Sequence, residues 1–304
     1  MNVPEAAVDP RPGTLPDTTQ RVALPGGSYL LAESYGDSSL PTLLWEHGMP
    51  GSQHLAYGID RVLSLCRVLT YARPGYGGSD RIEGYRLADS AYHVATVADA
   101  FKVSEFGLVG VSAGGRHALA CAAGLPERVK WVLLGSSAAP CPEREEGFRD
   151  MAPSNAFMLR GPEAEVIADI ESRAEKILAR PNSLGESLAA ELPESDLKIL
   201  GNLAMRELRV ASLAEAVRQG AGGWIDDVML ARNTDMGFDP GRVTAPVREW
   251  HGGKDTLTPV GLTTSMLLQL VNAPRKVTIQ SDAGHYGQVL VLPNLIKEML
   301  ERYG

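Results

Sequence analysis

From residue 21 onward, short apolar runs alternate with longer amphipathic stretches. Runs at 21–24, 29–34, 42–46, 67–71, 106–111, 129–134, 247–251 and 276–280 have the length of strands, and several are apolar and β-branched throughout rather than at every second position. A strand that is apolar on both sides is covered on both faces, as parallel strands under helices are. Between these runs, apolar residues recur at helical spacing over 53–64, 87–102, 113–124, 259–271 and 288–302. Strand–helix alternation predicts an α/β fold, with an open, mostly parallel sheet and right-handed crossovers. The first three strands have only short links, which predicts an antiparallel edge.

The alternation stops at Pro140 and resumes near Thr244. Between them the pattern is helical. Glu163 and Glu165 suit a first turn, Ile167, Ile170, Ala174, Ile177 and Leu178 trace one face, Val210, Leu213, Ala214 and Val217 trace another, and Gly220 stands where a helix would end. The chain therefore divides into a lead-in at 1–20, a core at 21–140 and 241–304, and a helical insertion at 141–240 that reads as a lid. The lead-in has four prolines, two Asp and no apolar core. It is expected to be disordered and is not a secretory signal.

Charge follows the same division. Residues 141–240 hold 11 Lys and Arg against 19 Asp and Glu, which accounts for the whole net charge of −8; the remainder is balanced. Such acidity is either plain solvation of surface helices or a field that disfavours anionic substrates. A net negative charge without basic clusters argues against nucleic acid as a partner. No run approaches the ~20 apolar residues of a membrane span. The cysteines number three, Cys66, Cys121 and Cys141, none at a metal-ligand spacing. That count suits a reducing cytoplasm rather than a disulfide framework. Monomer and homodimer both remain open.

Gly110-Val111-Ser112-Ala113-Gly114 matches G-x-S-x-G, a weak signal until its context is added. It joins the predicted strand at 106–111 to the predicted helix at 113–124, so Ser112 falls on a sharp turn where Gly110 and Gly114 avoid clashes, and the Ala113 N–H sits at a helix start. A serine hydroxyl needs a base, and the base an orienting carboxylate. His285 follows the last strand in Asp282-Ala283-Gly284-His285-Tyr286-Gly287, and Asp255 follows the preceding strand in Gly252-Gly253-Lys254-Asp255. Both loops open at the carboxyl edge of the sheet that also carries Ser112. Asp282 is the rival acid, better suited to shaping its own turn. His47-Gly48-Met49-Pro50-Gly51-Ser52 follows the third strand. Its Met49 N–H would pair with that of Ala113 as donors to a developing oxyanion, Gly48 would let the loop approach closely, and His47 would organise the loop through a ring hydrogen bond.

These loops, together with Arg73-Pro74-Gly75-Tyr76-Gly77-Gly78-Ser79-Asp80, resemble the α/β-hydrolase superfamily, most closely its lidded branch of esterases, perhydrolases, C–C bond hydrolases and proline iminopeptidases. The resemblance spans about 21–140 and 241–304. It implies an eight-stranded sheet, a Ser112–His285–Asp255 triad, and Tyr76 at the pocket mouth. Epoxide hydrolases and haloalkane dehalogenases would need Asp at position 112, and proline iminopeptidases usually carry Trp where this chain has Ala113. The implied activity is cofactor-free cleavage of an ester, lactone or amide of a small, neutral organic substrate through an acyl-enzyme. The alternatives are C–C hydrolysis, perhydrolysis, lyase or cyclisation chemistry on the same triad, a peptidase, or a binding protein that reuses the fold.

His54 and His117 are read as structural residues in helices near the level of the turn, and His93 as structural on a helix face. No residue pattern suggests a metal or a nucleotide cofactor.

Overall fold

In a computed structural model, residues 12–304 are described. Eight strands, β1 (Thr18–Ala23), β2 (Tyr29–Tyr35), β3 (Thr42–Glu46), β4 (Arg67–Tyr71), β5 (Phe106–Val111), β6 (Val129–Gly135), β7 (Val247–Gly252) and β8 (Arg275–Gln280), form one sheet in the order β1-β2-β4-β3-β5-β6-β7-β8. β1 pairs antiparallel with β2, and β2 with β4; every other pairing is parallel. The antiparallel edge therefore comprises β1 and β2 but not β3. All five β3 residues are buried, so it needs a neighbour on each side and sits inside the sheet between β4 and β5.

Successive side chains of the central strands enter opposite cores, as a pleated strand under two helical layers requires. Leu44, Leu69, Leu108 and Val132 pack with α1 (Ser90–Ala100), α2 (Gly114–Gly124) and later α9 (Val260–Leu268). Leu43, Val68, Val109 and Leu133 face the other way, against α10 (Gln288–Tyr303).

The helix predicted at 53–64 is reduced to a 3₁₀ turn at Ile59–Val62. Gly58, in the left-handed region at φ +80°, interrupts any longer helix. Leu55, Ile59 and Val62 still reach the core, which explains the helical spacing without a helix. At the other end of the chain's first segment, Thr18–Gln20 belong to β1, so the expected lead-in is shorter than 1–20; residues 1–11 lie outside the described residues.

Between β6 and β7 every regular element is helical: α3 (Pro153–Arg160), α4 (Glu163–Ala179), α5 (Ser183–Leu188), α6 (Glu194–Leu200), α7 (Leu203–Ala216) and α8 (Gly222–Ala231). They share an apolar cluster with Ala72, Tyr76 and Leu257 of the core, to which they contribute Val166, Ile170, Ile177, Leu213, Val217 and Trp224. The buried stripe of α4 runs through Val166, Ile170, Ala174 and Ile177. The predicted face is thus turned by about one residue, and Leu178 is 51% exposed.

Candidate active site

β5 runs into Ser112 at φ +54°, a left-handed conformation that costs energy for a residue with a Cβ. The surroundings hold it there. The Ser112 N–H donates to the Gly135 carbonyl at 3.0 Å, and its carbonyl accepts from Gly115 at 3.0 Å and Ala138 at 2.9 Å. The turn also presses on the end of β3, because a Cβ on residue 114 would lie 2.2 Å from the Glu46 carbonyl oxygen. Gly110 is equally confined, against the Gly114 carbonyl.

β3 lies beside β5, so the loop after β3 reaches the turn. A Cβ on Gly48 would stand 4.0 Å from Ser112 Oγ. Neither the Met49 nor the Ala113 N–H donates to a backbone acceptor among the described residues. His47 uses both ring nitrogens to hold this loop and tie it to its neighbour. Its Nδ1 lies 2.7 Å from the Gly48 carbonyl, and its Nε2 accepts the Arg73 N–H at 3.1 Å. Burial and the nearby Arg73 guanidinium hold its pKa well below the ordinary histidine value, so the ring is neutral, with Nδ1 as donor.

Arg73 does more than the sequence suggested. Buried at 1% exposure, it donates to the carbonyls of His47 at 2.5 Å and Gly48 at 3.1 Å, and forms an ion pair with Asp227 of α8 at 2.6 Å. Asp227 also accepts from the hydroxyls of Tyr76 at 3.0 Å and Tyr85 at 2.5 Å, and lies 3.6 Å from His117 Nε2. Tyr76 is consequently a buried anchor and not a residue of the pocket mouth: its ring is turned inward by its hydrogen bond to Asp227, and its exposure is 0%. His117 lies in α2 and His93 in α1, both buried; His54 lies in a loop rather than a helix.

The loops after β7 and β8 bring Asp255 and His285 together, with Asp255 Oδ2 2.8 Å from His285 Nδ1. Asp255 Oδ1 accepts the backbone N–H groups of Leu257 and Thr258, both at 2.9 Å, and Oδ2 accepts the Thr258 hydroxyl at 2.9 Å. A second imidazole approaches the same oxygen. His251 Nε2 lies 3.3 Å from Asp255 Oδ2, and its Nδ1 lies 2.8 Å from Glu249 Oε1. Burial disfavours charge on His251, but its hydrogen bonds to Asp255 and Glu249 raise its pKa to about 10. Burial also opposes the Asp255 charge, yet His285 and His251 together hold that carboxyl far below the usual carboxylate range. Asp255 is thus an ionised acceptor whose Oδ2 is shared by two imidazoles. Asp282 is exposed on its turn.

Nothing in the sequence pattern pointed to Asp196. This α6 carboxylate is fully buried and accepts the backbone N–H groups of His285 at 2.8 Å and Tyr286 at 2.9 Å. An acidic residue in a helical segment looks like surface until the fold turns it inward.

A cavity of about 290 Å³ is bordered by Gly48, Met49, Ser112, Ala113 and His285, and on the opposite side by apolar residues of the inserted helices such as Met158, Leu188, Leu213 and Trp224. Of the 19 acidic residues in 141–240, Asp227 alone borders it, and Asp227 is paired with Arg73. Arg116, Arg173 and Arg209 border it too. Burial lowers the Arg116 pKa to about 10, which leaves it charged at neutral pH. Its guanidinium is held by the Leu230 and Asp235 carbonyls. Apart from Asp227, the acidic residues of the segment therefore do not border the cavity, contrary to the reading of a field that disfavours anions.

Among the described residues no group of three or more His, Cys, Asp or Glu could hold a metal ion, and no helix is long and apolar enough to cross a membrane.

The family model described as alpha/beta hydrolase fold matches residues 41–290. A 2-succinyl-6-hydroxy-2,4-cyclohexadiene-1-carboxylate synthase of Escherichia coli is 28% identical over 183 residues, which is 56% of this chain and 73% of that protein. A hydrolase from Pseudomonas aeruginosa superposes with a TM-score of 0.66 at 20% identity, over 94% of this chain and 98% of its own. An esterase from Exiguobacterium antarcticum gives 0.63 at 21%, over 93% and 97%. At such identities these two structures speak for the fold alone.

Proposed function

The chain belongs to the α/β-hydrolase-fold family, and on that premise we propose that it is a cofactor-free serine hydrolase cleaving an ester, lactone or amide of a small organic substrate through an acyl-enzyme. Ser112 Oγ attacks the carbonyl carbon while His285 takes its proton. The tetrahedral oxyanion is received by the Met49 and Ala113 N–H groups. The bond to the leaving group breaks, and that group departs with the proton from His285. Water, deprotonated by the same imidazole, then releases the acid and restores Ser112. Asp255 fixes the imidazole tautomer and supports its positive charge.

The observation that carries this reading is the 2.8 Å contact between Asp255 and His285, together with a left-handed Ser112 that borders the same cavity as His285. The inserted helices act as its lid. A cytoplasmic location fits the three cysteines, all of which are free. A second reading, lyase or cyclisation chemistry on the same triad, draws support from the synthase relative.

A fluorophosphonate probe tests the assignment. The native chain takes one label and Ser112→Ala takes none; labelling that survives this substitution overturns it. A panel of p-nitrophenyl esters, lactones and aminoacyl-naphthylamides then separates the subclasses.

A further inference from the structure

We propose that Asp196 is a positioning residue for the reaction: a carboxylate delivered by the inserted helices that fixes the backbone of the catalytic histidine, so that the insertion helps to assemble the triad as well as to cover it. The inference rests on the serine-hydrolase reading, since it concerns how His285 is held.

Three observations converge on it. Both oxygens of one fully buried carboxylate are used on adjacent peptide N–H groups, Oδ2 on His285 and Oδ1 on Tyr286. Two charge-assisted bonds to successive donors fix the position and the orientation of a peptide. The loop is also shaped to admit the carboxylate, because a Cβ on Gly284 would lie 2.3 Å from Asp196 Oδ2. From the opposite side, Ser136 Oγ donates to the His285 carbonyl at 3.0 Å. His285 is therefore held at its ring, its carbonyl and its N–H. Asp255 holds the ring from the β7 loop, Ser136 holds the carbonyl from the end of β6, and Asp196 holds the N–H from 89 residues away in sequence. Two of these holds belong to the core, and the third comes from the insertion. A carboxylate whose partners are all main-chain donors of the catalytic loop does not belong to the packing of the inserted helices themselves, which cohere through apolar contacts.

Acyl transfer depends steeply on the placement of the base, and an error of about 1 Å can cost on the order of 100-fold in rate. Removing the carboxylate leaves two buried N–H groups unsatisfied and frees the loop to shift towards other acceptors.

The experiment uses the full chain and a minimal substrate, p-nitrophenyl acetate, whose acyl group is too short to depend on contacts with the inserted helices. Asp196→Ala is expected to lower kcat and the rate of fluorophosphonate labelling of Ser112 by about 10- to 100-fold, with KM within a few fold of wild type. Asp196→Asn keeps one acceptor oxygen and should fall between the two. Gly284→Ala leaves the carboxylate in the chain but drives it off the loop, and so should reproduce the kcat loss. It also serves if Asp196→Ala does not fold. Combined with Asp196→Ala it should add little, as two changes to one interaction do. Unchanged kcat and labelling in Asp196→Ala and Gly284→Ala overturn the inference and leave the triad standing. A change confined to KM does the same, since it would mean a role in covering the site only. Labelling that persists in Ser112→Ala overturns both readings.

Discussion

Adjacent carboxylates on α8 offer an internal comparison of buried and exposed charge. Asp227 faces inward and accepts from Arg73, Tyr76 and Tyr85. Asp226 faces outward to Arg81, whose side chain is 42% exposed. Burial alone would raise the Asp227 pKa, but Arg73 and His117 hold it well below the ordinary value. A depressed carboxylate contributes stability above its unfolded pKa and loses it only as pH falls through the folded one. Its full effect is therefore present at neutral pH. Asp227→Asn keeps the shape and removes the charge, leaving Arg73 buried with Glu46 at 3.7 Å as its remaining carboxylate. Breaking a buried ion pair in this way costs about 3–5 kcal/mol. For a chain of 304 residues, an unfolding entropy of about 0.6 kcal/mol/K converts this to a fall in Tm of about 5–8 °C. Asp226→Asn should cost under about 1 kcal/mol, hence about 2 °C or less. Scanning calorimetry of both variants at pH 7.5 makes the measurement. Equal shifts, or a larger one for Asp226→Asn, would refute the argument that the inward network ties the insertion to the core.

Asp255→Asn should lower kcat by about 10⁴, as loss of the orienting carboxylate does in serine proteases; Asp282→Asn should fall far less, and the reverse order in steady-state assays would identify the wrong acid. Because arginines border the cavity while the acidic residues of the insertion, Asp227 apart, do not, an ester bearing a carboxylate should have a kcat/KM at or above that of its neutral isostere, by a ratio that shrinks as salt rises. A neutral or cationic preference would restore the reading of an acidic lid. Activity should survive EDTA and exhaustive dialysis, and restoration by one specific metal ion after loss would contradict the proposed chemistry.

The loops at the carboxyl edge were legible because each is a local pattern anchored to a recognisable strand. Ser112, Asp255, His285 and the His47 loop need only strand order and direction to come together. Illegible were the partners that bind across the fold. Arg73 and Asp227 are 154 residues apart, and Asp227 and Asp196 look like the solvated carboxylates around them. His251 carries no local signal, because nothing in the neighbouring residues says that a histidine on β7 will meet two carboxylates. The segment at 53–64 failed for a different reason: burial at helical spacing was satisfied by a single turn, and Gly58 decided the backbone. Total charge misled as well. It counts residues without regard to the direction in which they point.

Two carboxylates of the insertion reach main-chain or side-chain donors that the core cannot satisfy by itself, and this bears on recombination. A chimera that keeps the strands and takes its covering helices from another family member would inherit an Arg73 left with Glu46 alone at 3.7 Å and a histidine loop with two bare N–H groups, unless the donor supplied acids equivalent to Asp227 and Asp196. Crossover points at 140 and 241 would therefore yield active hybrids only when both acids travel with the graft, however well its apolar face fits.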